Sequence, residues 1–190
     1  MYLKNSFILI LFIILSCQPV EILKPFEINT STFETISINA EQVEVNKKYN
    51  SLFSKSNIED QIRKSPINLM IEWNSQNILK LGNENKLVIN ILDASINKTE
   101  IMNVDAKKYE EKTIFNYEVF YLVEYELYDS SSYLIANTTV ETSRSTTSQR
   151  YISLNETEII INDLLVSAMR DYINETKNQL SIYMKDYLSF

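Results

Sequence analysis

Residues Thr113 to Tyr128 read Thr-Ile-Phe-Asn-Tyr-Glu-Val-Phe-Tyr-Leu-Val-Glu-Tyr-Glu-Leu-Tyr, and every odd position from Phe115 to Leu127 is apolar or aromatic. Asn116, Glu118, Glu124 and Glu126 stand at even positions between them. A period of two is the pleat of a β-strand with one buried and one wetter face. At roughly 3.3 Å per residue the stretch extends about 50 Å, long enough for the central strand of a sheet.

Its flanks supply partners. Asp129-Ser130-Ser131-Ser132 is a hairpin turn, since Asp and Ser hydroxyls and carboxylates bond to their own backbone in turns. The chain then returns antiparallel through residues 133–148, with Leu134, Ala136, Thr138, Val140 and Thr142 on one face. A run so rich in Thr buries little and reads as an edge strand. Upstream, residues 86–96 form another strand. Leu87, Ile89 and Ile91 share one face, Val88, Leu92, Ala94 and Ile96 the other, the pattern of a strand covered on both sides.

Two helices complete the pattern. Ser65-Pro66 pairs an N-cap residue with proline at the first helical position. Ile67, Met70, Ile71, Ile78 and Leu81 follow at helical spacing, Trp73 anchors them, and Gly82 is expected to end the helix at positive φ. Ser153-Leu154-Asn155-Glu156 is a capping box. It opens a helix of about 30 residues, roughly 45 Å long, with a stripe through Leu164, Leu165, Ala168, Met169, Tyr172, Ile173 and Leu180. A first strand is expected over residues 33–45, bent near Glu41-Gln42. The order is β-α-β-β-β-α. The expected fold is an α+β two-layer sandwich, an antiparallel sheet of about four strands covered by two helices, without a parallel crossover.

Composition limits the chemistry. A net charge of −7 and no basic run argue against nucleic acid as a partner. The chain has no His, one Cys and one Gly. These counts leave out the commonest general base, a cysteine metal cluster and glycine-rich phosphate loops. No catalytic residue, metal site or cofactor is expected, and the chain is read as a non-enzyme.

The amino terminus has an address. Lys4 precedes nine apolar residues, Phe7 to Leu15, and the run stops at Ser16-Cys17. A helix needs about 20 such residues to span a bilayer, so the stretch has the build of a secretory signal peptide. Ile14-Leu15-Ser16-Cys17 resembles the lipobox of bacterial lipoproteins. That resemblance implies acylation of Cys17, membrane attachment through it and, with Gln18 next, an outer-membrane location on the periplasmic face. The expected organisation is a signal peptide over 1–16, a lipidated tether over 17–32 and a single periplasmic domain over 33–190.

The element order behind a lipobox is similar in topology to the lipopolysaccharide-assembly lipoprotein and to the auxiliary lipoproteins of ABC-type transporters. Trp73, Leu81-Gly82, Asp93-Ala94-Ser95-Ile96, Ser143-Arg144-Ser145 and Ser153-Leu154-Asn155-Glu156 resemble recurring elements of an uncharacterised family of Gram-negative bacterial lipoproteins. The resemblance implies a membrane-anchored accessory of envelope assembly or transport, bound to an envelope protein or lipid. The alternative is a lipid- or small-ligand-binding periplasmic module.

Several side chains are candidates. Asp93 and Arg144 extend the apolar faces of their strands and are expected to meet as an ion pair or recognition point. Tyr133, Thr139 and Glu141 on the edge strand are expected to face a partner. Glu118, Glu124 and Glu126 read as a solvated or groove-lining face, and the row Tyr117, Tyr121, Tyr125 and Tyr128 as core and rim packing.

Overall fold

The computed structural model describes residues 28–50 and 55–188. The expected signal peptide, Cys17 and residues 18–27 of the tether lie outside the described residues. The elements are β1 (Ile36–Ile38), β2 (Gln42–Lys47), α1 (Pro66–Asn77), β3 (Ile78–Lys80), β4 (Lys86–Met102), β5 (Thr113–Tyr128), β6 (Leu134–Ser148) and α2 (Leu154–Tyr183), with short 3₁₀ turns between some of them. The fold is α+β, as its sequence pattern implies.

β5 is the inner strand that the alternation requires. It pairs antiparallel with β4 and β6 along nearly its whole length. Tyr117, Val119, Tyr121, Val123, Tyr125 and Leu127 are all buried on the helix-facing side, each contributing roughly 1.5–3 kcal/mol of transfer free energy. The turn after it tightens on Asp129, whose carboxylate accepts the amides of Ser131 and Tyr133 at 2.9 and 2.8 Å. Ser132 takes φ 65° there, a left-handed conformation that a short polar residue tolerates.

β4 departs from strict alternation. Ile91 lies opposite Val123 but Asp93 lies opposite Leu122, so Leu92 is an inserted bulge residue. A single extra residue turns every later side chain to the other face. Leu87, Ile89 and Ile91 before the bulge, and Ala94 and Ile96 after it, therefore all pack on the helix side and are all buried. Of the second apolar face read from the sequence, Ala94 and Ile96 join the first through the bulge, while Val88 stays opposite Glu126 on the far face.

The sheet order is β2-β4-β5-β6, and β2 runs parallel to β4. That parallel pair corrects the all-antiparallel expectation. The expected first strand is split: Ile36–Ile38 joins Ile78–Lys80 in a separate parallel pair, and Gln42–Lys47 joins the main sheet. The bend expected near Glu41 is where the chain changes sheets. α1, connecting β2 to β4, serves as the crossover that parallel strands need.

α1 starts at Ser65, whose hydroxyl accepts the Asn68 amide at 3.4 Å. It stops at Asn77, short of Gly82, because Ile78 is extended and pairs with Ile36. Gly82 has no positive φ. It is small for another reason: a Cβ there would come 2.6 Å from the Asn39 carbonyl carbon and 2.7 Å from the Ala40 nitrogen. Leu81 and Gly82 donate their amides to the carbonyls of Ile38 and Ala40 at 2.9 and 3.3 Å, which draws the two backbones together.

α2 carries the capping box that its sequence announces. Ser153 Oγ accepts the Glu156 amide at 3.1 Å, and Glu156 Oε2 accepts the Ser153 amide at 2.9 Å. Its stripe from Ile161 to Leu180 is buried against β5 and β6. Trp73 of α1 is fully buried, packs edge-on against Tyr172 of α2 at 5.7 Å between ring centres, and donates its indole N–H to the Glu34 carbonyl at 3.0 Å. The core therefore lies between the sheet and the two helices.

Candidate functional site

The two margins of the main sheet are built differently. On one side β2 pairs with β4 up to Ile91, and the following chain continues the cover. Lys48 and Tyr49 donate to the Ile91 carbonyl at 3.0 and 2.9 Å, Ile58 donates to Ile96 at 3.2 Å, and Lys98 donates to Ser56 at 2.7 Å. On the other side, among the described residues, no strand pairs with the outer edge of β6. β6 is 15 residues long, contains no proline and carries only Glu141 and Arg144 as charges. Natural edges are commonly shortened, charged or broken to prevent pairing, and this one has few such guards.

Tyr133 is 71% exposed at the hairpin turn, and Thr139 and Glu141 are exposed on the sheet face away from the helices. Asp93 and Arg144 do not meet as expected. Arg144 lies opposite Val119 and so faces the helices, where its guanidinium pairs with Asp171 of α2 at 2.6 Å. Asp93 lies opposite Leu122, on the far face, because the bulge at Leu92 has turned it over. Burial pushes the Asp93 carboxyl up, the Ser95 hydroxyl and amide hold it back, and the Glu59 charge adds to the rise.

The far face of the sheet is polar but organised. Asn90 is buried, donates to Glu124 and Glu126 at 3.2 and 2.9 Å, and accepts from Asn46 at 3.4 Å. These carboxylates are held in a ladder rather than free. Among the described residues no cluster of His, Cys, Asp or Glu is placed to hold a metal ion. Of the tyrosine row, Tyr117, Tyr121 and Tyr125 are core, and Tyr128 lies half-buried on the other face. Tyr125 and Tyr172 join hydroxyl to hydroxyl inside the core. Burial pushes the Tyr172 phenol up to about 12, and that of Tyr125 well above its ordinary value.

A cleft of about 490 Å³ opens where the start of α2 meets the far end of β4, the start of β5 and the turn at Ile58–Arg63. Its walls mix apolar side chains, among them Ile58, Ile62, Phe115, Ile152, Leu154 and Ile161, with the polar Gln61, Thr157 and Asn162. Three basic side chains reach it, Arg63, Lys98 and Arg150, against one carboxylate, Glu158. Arg63 Nε lies 2.7 Å from Glu158 Oε1, and Arg150 pairs with Glu100 at 2.9 Å. Lys98 Nζ sits 3.8 Å above the centre of the Phe115 ring and 5.5 Å from that of Tyr117. Among the described residues it has no carboxylate within ion-pair distance. Sequence reading missed this cleft because its lining comes from four separated segments of the chain.

The fold is thus a helix-covered mixed sheet with one long unpaired margin and one end cleft. No protein-family model and no curated protein matches the chain. Among solved structures the chain is similar to a minor lipoprotein from Acinetobacter baumannii, with 11% identity over 80% of this chain and 98% of that one, at a TM-score of 0.38. Among the described residues no helix is long and apolar enough to cross a membrane.

Proposed function

We propose that this chain is a lipoprotein of the cell envelope, acylated at Cys17 and held at the periplasmic face of the outer membrane. It acts there as a non-enzymatic assembly or transport accessory. The observation that carries the reading is the β6 margin. A strand of 15 residues with two charges, whose outer edge no described strand covers, can accept an envelope protein by strand addition, main-chain bonds supplying affinity and alternate side chains supplying specificity. The lipobox-like Ile14-Leu15-Ser16-Cys17 supports the anchor, since two or more acyl chains hold a protein on a bilayer.

Photocrosslinkers placed at Thr139, at Glu141 and, as a control, at the exposed Asn178 of α2 test the docking surface in intact envelopes. One discrete adduct from the two β6 positions and none from Asn178 is expected; equal adducts from all three remove the margin from the reading. A clickable fatty acid fed to cells should label the wild type and not Cys17→Ala. Equal labelling of the two would end the claim of acylation at that residue. A second reading, a lipid- or small-ligand-binding module, is favoured by the end cleft, whose volume lies within the roughly 300–1,000 Å³ of small-molecule sites.

A further inference from the structure

We infer that the end cleft is a site for a single-chain anionic amphiphile, an alkyl chain ending in a carboxylate or phosphate, with Lys98 as the headgroup contact. The inference rests on the second reading above and names its ligand class.

The walls call for an apolar body. Ile58, Ile62, Phe115 and, from α2, Leu154 and Ile161 supply apolar lining that an inorganic ion would not fill. The charges call for an acid. In a chain of net charge −7, this one cleft gathers three basic side chains and a single carboxylate. Two of the bases are committed, Arg63 to Glu158 and Arg150 to Glu100. Lys98 is held over two aromatic rings and, among the described residues, pairs with no carboxylate. A cation above a ring face keeps its charge and its donors, so its ammonium remains available to an acceptor. A neutral lipid would leave Lys98 unanswered, and a cationic ligand would meet a surplus of like charge.

The test uses the full-length protein in phosphatidylcholine nanodiscs and an octyl phosphate bearing a diazirine on its chain. Photolabel should map by mass spectrometry to peptides covering residues 58–63 and 152–162. Octyl phosphate should compete, and decyl phosphate should compete better by about fourfold per added methylene. Octanol and inorganic phosphate alone should not. Lys98→Gln should lower labelling by about tenfold or more, as expected for losing one hydrogen bond to a charged group. Lys98→Arg should retain most of it, which guards against a Gln variant that fails to fold. Equal competition by octanol would overturn the headgroup assignment while leaving a lipid-binding module standing. Full competition by inorganic phosphate would reduce the site to an anion site and overturn the amphiphile. Absence of label from both peptides would end the inference and the ligand-binding reading together.

Discussion

Gly82 offers the sharpest test of the packing described above, because two physical roles for this glycine predict different substitution patterns. If it ended α1 at positive φ, Asn would be tolerated there, as it is at left-handed helix ends. In the structure its φ is not positive, and its Cα faces the backbone of Asn39 and Ala40. A methyl group at Gly82 would lie 2.6 and 2.7 Å from backbone atoms, which cannot rotate away as a side chain can. Overpacking of this kind costs about 1–3 kcal/mol. The lower chain entropy of unfolded Ala gives back about 0.4–1 kcal/mol. Gly82→Ala should therefore lose about 1–2 kcal/mol, a Tm drop of about 2–8 °C for a chain of this size.

Trp73 is the single tryptophan and is fully buried, so its fluorescence reports unfolding directly. Gly82→Asn should be at least as damaging as Gly82→Ala. Adding Asn39→Ala to Gly82→Ala should recover less than half of the loss, since it removes a side-chain contact but leaves both backbone contacts in place. Wild-type stability in Gly82→Asn would refute the close-approach argument and restore the helix-end role.

Other perturbations follow from particular bonds. Ser153→Ala removes the acceptor for the Glu156 amide and should cost about 0.5–2 kcal/mol in denaturant unfolding. The Ser153 amide and hydroxyl hold the Glu156 carboxyl below its ordinary value. That stabilisation is present above the unfolded Glu pKa of about 4.3 and fades as pH falls through the lower folded value, so a pH series should show acid softening in this range. Tyr172→Phe removes the nearer partner of the buried Tyr125 hydroxyl, leaving it Asn74 Oδ1 at 3.5 Å, and should cost about 1–3 kcal/mol, measured by the same unfolding curve. The raised phenols of Tyr121, Tyr125 and Tyr172 stabilise the fold fully below about pH 10, and that stability is lost as pH rises through their folded values. Ultraviolet titration should show these phenols ionising only with unfolding; reversible ionisation of all the tyrosines near pH 10 in the folded protein would contradict it. Arg144→Ala breaks only a half-exposed pair with Asp171 and should shift stability by less than about 1 kcal/mol.

What could be read from the residues was local. β5 and β6 follow from alternation and a turn, and α2 follows from a capping box and a stripe, because period and cap are written within one stretch of chain. What could not be read was non-local. Residues 36–47 look like one bent strand, but whether Ile36–Ile38 pairs with Ile78–Lys80 or with β4 depends on a partner some 40 residues away. α1 stops before Gly82 because Ile78 finds a strand partner, a competition that helix periodicity does not register. The expected meeting of Asp93 with Arg144 assumed an unbroken alternation in β4, and Arg144 instead found Asp171 on a helix that begins downstream of its own strand.

The bulge at Leu92 decides more than the fate of Asp93. Before it, odd-numbered residues of β4 face the helices; after it, even-numbered ones do, as the pairing of Ala94 with Tyr121 and of Lys98 with Tyr117 shows. Were Leu92 paired with Leu122 in regular alternation instead of bulged out, Asn97 and Thr99 would point towards α2, and Lys98 would point with Glu118 into the polar face. Its ammonium would then lie away from Phe115 and from the cleft. Bulging Leu92 out of the ladder thus does two things at once: it keeps Ala94 and Ile96 in the core, and it keeps Lys98 at the end of the sheet where α2 starts. Deleting Leu92 would set Ile91 and Asp93 in unbroken alternation opposite Val123 and Leu122, so Ala94, Ile96 and Lys98 should keep their faces; the bulge is how the strand absorbs one residue without losing the core or the lysine of the cleft.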